Sequence, residues 1–220
     1  MQAQLESSLR SSAQNIGVEI NDEQLKKLLA FLRQLQRWNK TYNLTAIQSA
    51  EEMLVRHIVD SLSVLPQLDT MAQHQGLSQL QLADVGSGGG LPGIVISIMR
   101  PAWTVHCVDA VEKKVSFIQQ MRAVLDCANL HAIHERIEQL HSLGCDILIS
   151  RAFSSLGNII AWAGHHVKPM GYIVAMKGKK PLQELEEIKS LAGWQLEPIV
   201  SLDVPQLNEE RCLVILEKQG

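Results

Sequence analysis

No run of apolar residues in this 220-residue chain approaches the ~20 that a membrane-crossing helix needs. Met1-Gln2-Ala3-Gln4-Leu5-Glu6 lacks the basic and apolar regions of a signal peptide, so a cytoplasmic protein is expected. Cysteine is scarce and scattered. Cys107, Cys127, Cys145 and Cys212 form no Cys-x-x-Cys pair, which leaves neither a zinc site nor a disulfide framework to expect. The histidines show no metal-ligand spacing, and no metal is expected. Charge of one sign is also missing. With a net charge of −3, any nucleic-acid binding has to come from local patches. Repeats and low-complexity segments are absent, and the length suits one α/β domain with an appendage.

What is present centres on Leu80 to Ile94. Alternating Leu80, Leu82 and Val85 read as a strand that runs into a glycine cluster; Pro92 then sits where a first helical turn begins. Strand, glycine loop and helix in that order hold a nucleotide-like ligand. Glycines let the backbone approach it, and the helix N-terminus offers unpaired N–H groups. The loop has no lysine, so it is not a phosphate-cradling P-loop. Leu91 stands where a dinucleotide fingerprint needs Gly or Ala, which argues against an NAD-linked oxidoreductase. Gly86-x-Gly88-x-Gly90 after Asp84 instead resembles the first motif of class I S-adenosylmethionine (SAM) methyltransferases. In that family the acid before the glycines helps hold the amino-acid end of SAM. A turn without a ligand is the plainer reading, but four glycines in five positions stabilise a fold poorly.

Around this centre the chain divides into an N-terminal helical extension (1–66) and a SAM-binding domain (67–220). The extension holds a short helix ending near Gly17 and a stronger one capped at Asn21 or Asp22, with Gln24 in the capping-box position. Leu25, Leu28, Leu32 and Leu35 mark its buried face, while Lys26, Arg33, Arg37 and Lys40 line the opposite side. Residues 39–47 break the periodicity, Glu51 to Leu65 reads as another helix, and 66–79 reads as a linker. Strands then alternate with helices to Leu191, and two strands, Gln195–Ser201 and Arg211–Leu216, close the chain. The pattern predicts a Rossmann-like, mostly parallel seven-stranded sheet with helices on both faces and an antiparallel last strand.

Asp109 ends the second strand, where an acid commonly binds ribose hydroxyls; a strand-end cap is the alternative. Ile137-Glu138 follows the third strand, where the methyltransferase resemblance implies an N–H and an acid against adenine; Glu138 reads equally as a surface acid. Arg151 and Phe153 follow the fourth strand. Arg151 suits the SAM carboxylate or the target nucleotide, and Phe153 suits base stacking or the core. No Asn/Asp-Pro-Pro-aromatic turn for exocyclic-amine methylation exists, and no cysteine is placed for carbon-5 attack. Guanine N7 needs neither device, since its lone pair is free at neutral pH. Catalysis at N7 reduces to alignment, worth up to ~7–11 kcal/mol. Lys177, Lys179 and Lys180 around Gly178 form a candidate phosphate clamp, which Arg56, Lys168 and the stripe on the first long helix extend.

Six segments together resemble one family: Asn43 to Ile47, Arg56 to Leu62, Asp84 to Ile94, Asp146 to Phe153, Met176-Lys177-Gly178, and Arg211 to Val214 with Lys218. They look like the glucose-inhibited division protein B family of bacterial 16S rRNA guanine-N7 methyltransferases, from about residue 20 onward. The resemblance implies SAM contacts at Gly86, Leu91, Ile137, Glu138 and Arg151. It also implies methylation of guanine 527 in the 530 loop, on 16S rRNA or the small ribosomal subunit. No general base is expected, and Arg151 is the candidate for positioning. The expected protein is a monomer that uses no membrane. A SAM-binding ribosome-assembly factor without catalysis, or a small-molecule methyltransferase, is the alternative.

Overall fold

The computed structural model describes residues 2–189 and 191–220. Helices α1 (Gln2–Asn15) and α2 (Asp22–Tyr42) form where leucine spacing predicts them. The capping box is complete: Asn21 Oδ1 accepts the Gln24 N–H at 2.8 Å, and the Gln24 side chain accepts the Asn21 N–H at 3.0 Å. Asn43 ends α2 in the left-handed region, φ 52°, which an Asn tolerates. The helix expected over 51–65 is interrupted. Helix α3 (Ala50–Met53) passes through a π-helical turn, Leu54–Val59, into α4 (Asp60–Leu62).

The expected linker at 66–79 is a correction, because α5 (Leu65–His74) occupies most of it. Leu65, Leu68, Met71 and Ala72 form its buried face and Pro66 stands in its first turn; interspersed glutamines mask that periodicity in the sequence.

The alternating part runs β1 (Gln81–Val85), α6 (Gly93–Met99), β2 (Thr104–Asp109), α7 (Glu112–Val124) and β3 (Leu130–His134). A 3-10 turn (Ile137–Gln139), β4 (Cys145–Arg151), α8 (Leu156–Ala163), β5 (Val167–Lys177) and α9 (Leu182–Ile188) follow. Strands β6 (Trp194–Leu196), β7 (Val200–Leu202) and β8 (Arg211–Lys218) complete the sheet. Strand order is β3-β2-β1-β4-β5-β8-β6, with β7 also on β8. Pairs from β3 to β5 are parallel, and β8 is antiparallel to each neighbour. The segment expected as one strand, Gln195–Ser201, is split around Pro198, which has no N–H for the ladder. Seven expected strand segments therefore make eight strands, and β8 lies inside the sheet.

One core cluster joins α1, α2, α5, α6 and α7 to one sheet face, so the amphipathic N-terminal helices bury their leucines on the strands that follow. Phe117 on α7 meets Phe31 and Trp38 of α2, at ring-centroid distances of 6.2 and 5.3 Å. The opposite face packs under α8, α9 and the 3-10 turn.

Candidate active site

Strand order reverses between β1 and β4, and in open α/β sheets ligands bind at the carboxyl ends beside such a switch point. Gly86 follows β1 there, and Arg151-Ala152 closes β4. Gly86 has φ 70°, and a Cβ added to it would stand 2.4 Å from Phe153 Cδ2. Two cavities open on either side of this seam, of about 490 and 410 Å3, and Gly86 and Ala152 line both.

The smaller cavity gathers Asp109, Ile137 and Glu138, with Phe153 and Trp162 at its wall. Asp109 is buried, and its two oxygens accept the Gly88 and Val111 N–H groups at 2.9 Å each, tying the glycine loop to the start of α7. Lys114 stands 3.6 Å away. Ile137 is buried and Glu138 exposed on the 3-10 turn. That turn rests on a residue to which sequence spacing assigns no role, His166, which is fully buried. Its Nε2–H donates to Ile137 O at 2.9 Å while Nδ1 accepts the Leu143 N–H, and burial lowers the ring's pKa.

Asp84 lies outside both cavities, beneath the loop. Its Oδ2 accepts the Gly93 N–H at 2.7 Å, and Oδ1 has no partner among the described residues. Burial raises its carboxyl from 3.8 to about 7. In this position Asp84, expected as a cofactor contact, braces the glycine loop through the Gly93 N–H. Leu91 and Gly88 line the larger cavity.

That larger cavity also takes in Arg56, His57, Asp60, Arg151, Lys177 and Arg211. Sheet register sets Arg151 beside Met176, and Lys177 beside Cys212, so the ends of β4 and β5 and the start of β8 meet at one edge. The π-helical turn completes the wall. There the Asp60 N–H reaches the Val55 carbonyl five residues back, and the Arg56 carbonyl accepts from Arg151 Nη1 and His57 Nδ1–H at 3.0 Å each. His57 Nε2 accepts the Thr45 hydroxyl at 2.8 Å, and burial lowers its pKa to about 4. Buried Asn39 holds the loop after α2 by bonding Ile47 O and the Thr45 N–H, both at 2.8 Å.

The basic residues divide. Lys179 and Lys180 are exposed without ion partners among the described residues. Lys177 is not a free cation: its ammonium contacts Glu184 at 2.9 Å and Ser154 O at 3.1 Å. Arg56 is paired with Glu52 and Glu209. Lys168 is a correction to the extended clamp, since it stands at the opposite end of β5 and pairs with Asp146. All four cysteines are buried, and burial holds the Cys145 thiol up at about 12, a poor setting for a nucleophile.

Known structures share this architecture. A SAM-dependent methyltransferase from Aquifex aeolicus is similar with a TM-score of 0.56 at 16% identity, over 85% of this chain and 98% of that one. TrmN from Thermus thermophilus is similar with a TM-score of 0.53 at 12% identity, over 75% and 53% of the two chains. Sequence relatives are closer. Ribosomal RNA small subunit methyltransferase G of Bordetella avium is 49% identical over 96% of this chain and 92% of its own. The protein of that name from Acidovorax ebreus is 42% identical over 96% and 95%. The family model described as rRNA small subunit methyltransferase G matches residues 24–214, and with these relatives it shows that the chain belongs to that family.

Proposed function

We propose that this protein transfers the methyl group of SAM to N7 of guanine 527, in the 530 loop of 16S rRNA, acting as a monomer on free rRNA or the small subunit. The observation that carries this reading is the pair of cavities meeting at Gly86 and Ala152. In the smaller one Asp109 faces the ribose hydroxyls, and the Ile137 N–H and Glu138 face adenine. Gly86 and Gly88 let the backbone lie close to the ligand and Leu91 contacts it with its side chain, with Asp84 bracing the loop from below. When bound, SAM supplies an activated methyl group on a sulfonium.

The chain's own task is then alignment and exclusion of water. Guanine N7 carries a free lone pair, so no side chain has to remove a proton. His57, held neutral, and the protonated cysteines agree with that. Residues 1–66 form the extension of the methyltransferase domain at 67–220, and its α2 carries Lys26, Arg33, Arg37 and Lys40 toward RNA phosphates. Lys179 and Lys180 contact RNA at the other rim; Lys177 and Arg56 support that rim through their ion pairs.

The test is transfer of labelled methyl from SAM to small subunits, and to naked 16S rRNA, from cells lacking this gene. Labelled 7-methylguanosine at position 527 is expected. Binding of SAM with no label in either RNA would sink the reading and leave a non-catalytic assembly factor.

A further inference from the structure

An alternating chain of charges runs from the rim of the larger cavity to its floor. Arg56 lies between Glu52 (3.0 Å) and Glu209 (2.6 Å), and Glu209 also receives Arg211 Nη2 at 3.1 Å. Arg211 Nε donates to Asp60 Oδ1 at 3.0 Å, and Arg151 Nη1 donates to Asp60 Oδ2 at 3.1 Å. The outer pairs are exposed, where such contacts contribute little. Asp60 is different. It is only 2% exposed, and a buried carboxylate persists when it is paired and hydrogen-bonded.

The alternation ends on a cation. Arg151 spends Nη1 on Asp60 and the Arg56 carbonyl, whereas its Nε and Nη2 have no partner among the described residues. A guanidinium held on one side and open along an Nε–Nη2 edge is a bidentate receptor for a carboxylate. Its position indicates which carboxylate. Arg151 precedes Ala152, which with Gly86 lines both cavities. A ligand whose nucleoside fills the smaller cavity therefore brings its other end past the seam to this edge.

We propose that Asp60, braced by Arg211, is a positioning residue that aims the open edge of Arg151 at the carboxylate of the cofactor's amino-acid end. This rests on the SAM reading above. Asp60 works through Arg151 and does not touch the ligand. Arg211 keeps Asp60 from swinging after Arg151, and the π-helical turn supplies the carbonyl that fixes Nη1 from a second direction.

Two ligands separate positioning from folding. S-adenosylhomocysteine carries the carboxylate, and 5′-methylthioadenosine shares the nucleoside and sulfur but lacks it. Calorimetric titration of the full chain should show Asp60→Asn weakening S-adenosylhomocysteine roughly tenfold while leaving methylthioadenosine within about twofold. Arg211→Gln should shift the first ligand in the same direction. A charge effect alone has the opposite sign, because removing an anion beside Arg151 tightens carboxylate binding. Tighter or unchanged S-adenosylhomocysteine binding by Asp60→Asn, or equal losses for both ligands, would overturn the proposal. A wild type that binds neither ligand would overturn the cofactor reading, and the proposal with it.

Discussion

Two buried groups beside the seam titrate in opposite senses. Asp84 has a folded pKa of about 7, above its ordinary 3.8, so the folded chain keeps a proton that the unfolded chain releases. Its contribution to stability is complete below about pH 4 and is lost as pH rises through 7. His57 has a folded pKa of about 4, below its ordinary 6.5. Its contribution is complete above 6.5 and is lost as pH falls through 4. Between these limits the two slopes oppose each other. Asp84→Asn keeps an oxygen for the Gly93 N–H and removes one slope. The variant should therefore lose stability on acidification from pH 6.5 to 4, by on the order of a few kcal/mol, relative to a flatter wild type. Urea unfolding across that range checks it, and parallel curves for the two proteins would refute it.

At the scale of elements, the wall of the larger cavity depends on non-helical segments held by side chains. Asn39 is the clearest case, since both its bonds go to the loop after α2. Asn39→Ala should cost ~1–3 kcal/mol through the unpaired Ile47 carbonyl and Thr45 N–H. It should also raise KM for the RNA substrate more than it lowers kcat; an unfolding midpoint equal to wild type would contradict it. Those bonds span six and eight residues, yet nothing in a one-dimensional pattern distinguishes Asn39 from the polar residues around it. The capping box at Asn21, the glycine turn after β1 and the position of Asp109 at the end of β2 were legible because each is a local pattern. The π-helical turn and the Asp60 pairs were not. Asp60 meets partners 91 and 151 residues away, and its sequence neighbourhood shows only the polar side of an ordinary helix. Helix α5 was hidden for the opposite reason, its periodicity diluted by glutamine.

For the molecule as a whole, a net charge of −3 makes the distribution of cations decisive for RNA affinity. Lys26, Arg33, Arg37 and Lys40 are exposed along α2, opposite its buried leucines, and make no ion pair among the described residues. Replacing all four by Gln should weaken rRNA binding and reduce the slope of log K against log salt by about 0.7–0.9 for each phosphate no longer neutralised. SAM affinity should not change. Filter binding at several salt concentrations reads the slope, and an unaltered slope would remove α2 from the RNA surface. The sheet carries a further consequence, for synthesis. Strand β8 lies between β5 and the short β6 and β7, so β5 keeps a bare edge, and β6 and β7 have nothing to pair with, until Arg211 to Lys218 have been made. A nascent chain thus carries an open, adhesive strand from the completion of β5 at Lys177 until β8 is made. Loss of only the final strand would leave β5 with one bare edge and β6 and β7 unpaired, and such a product is fated for aggregation or proteolysis.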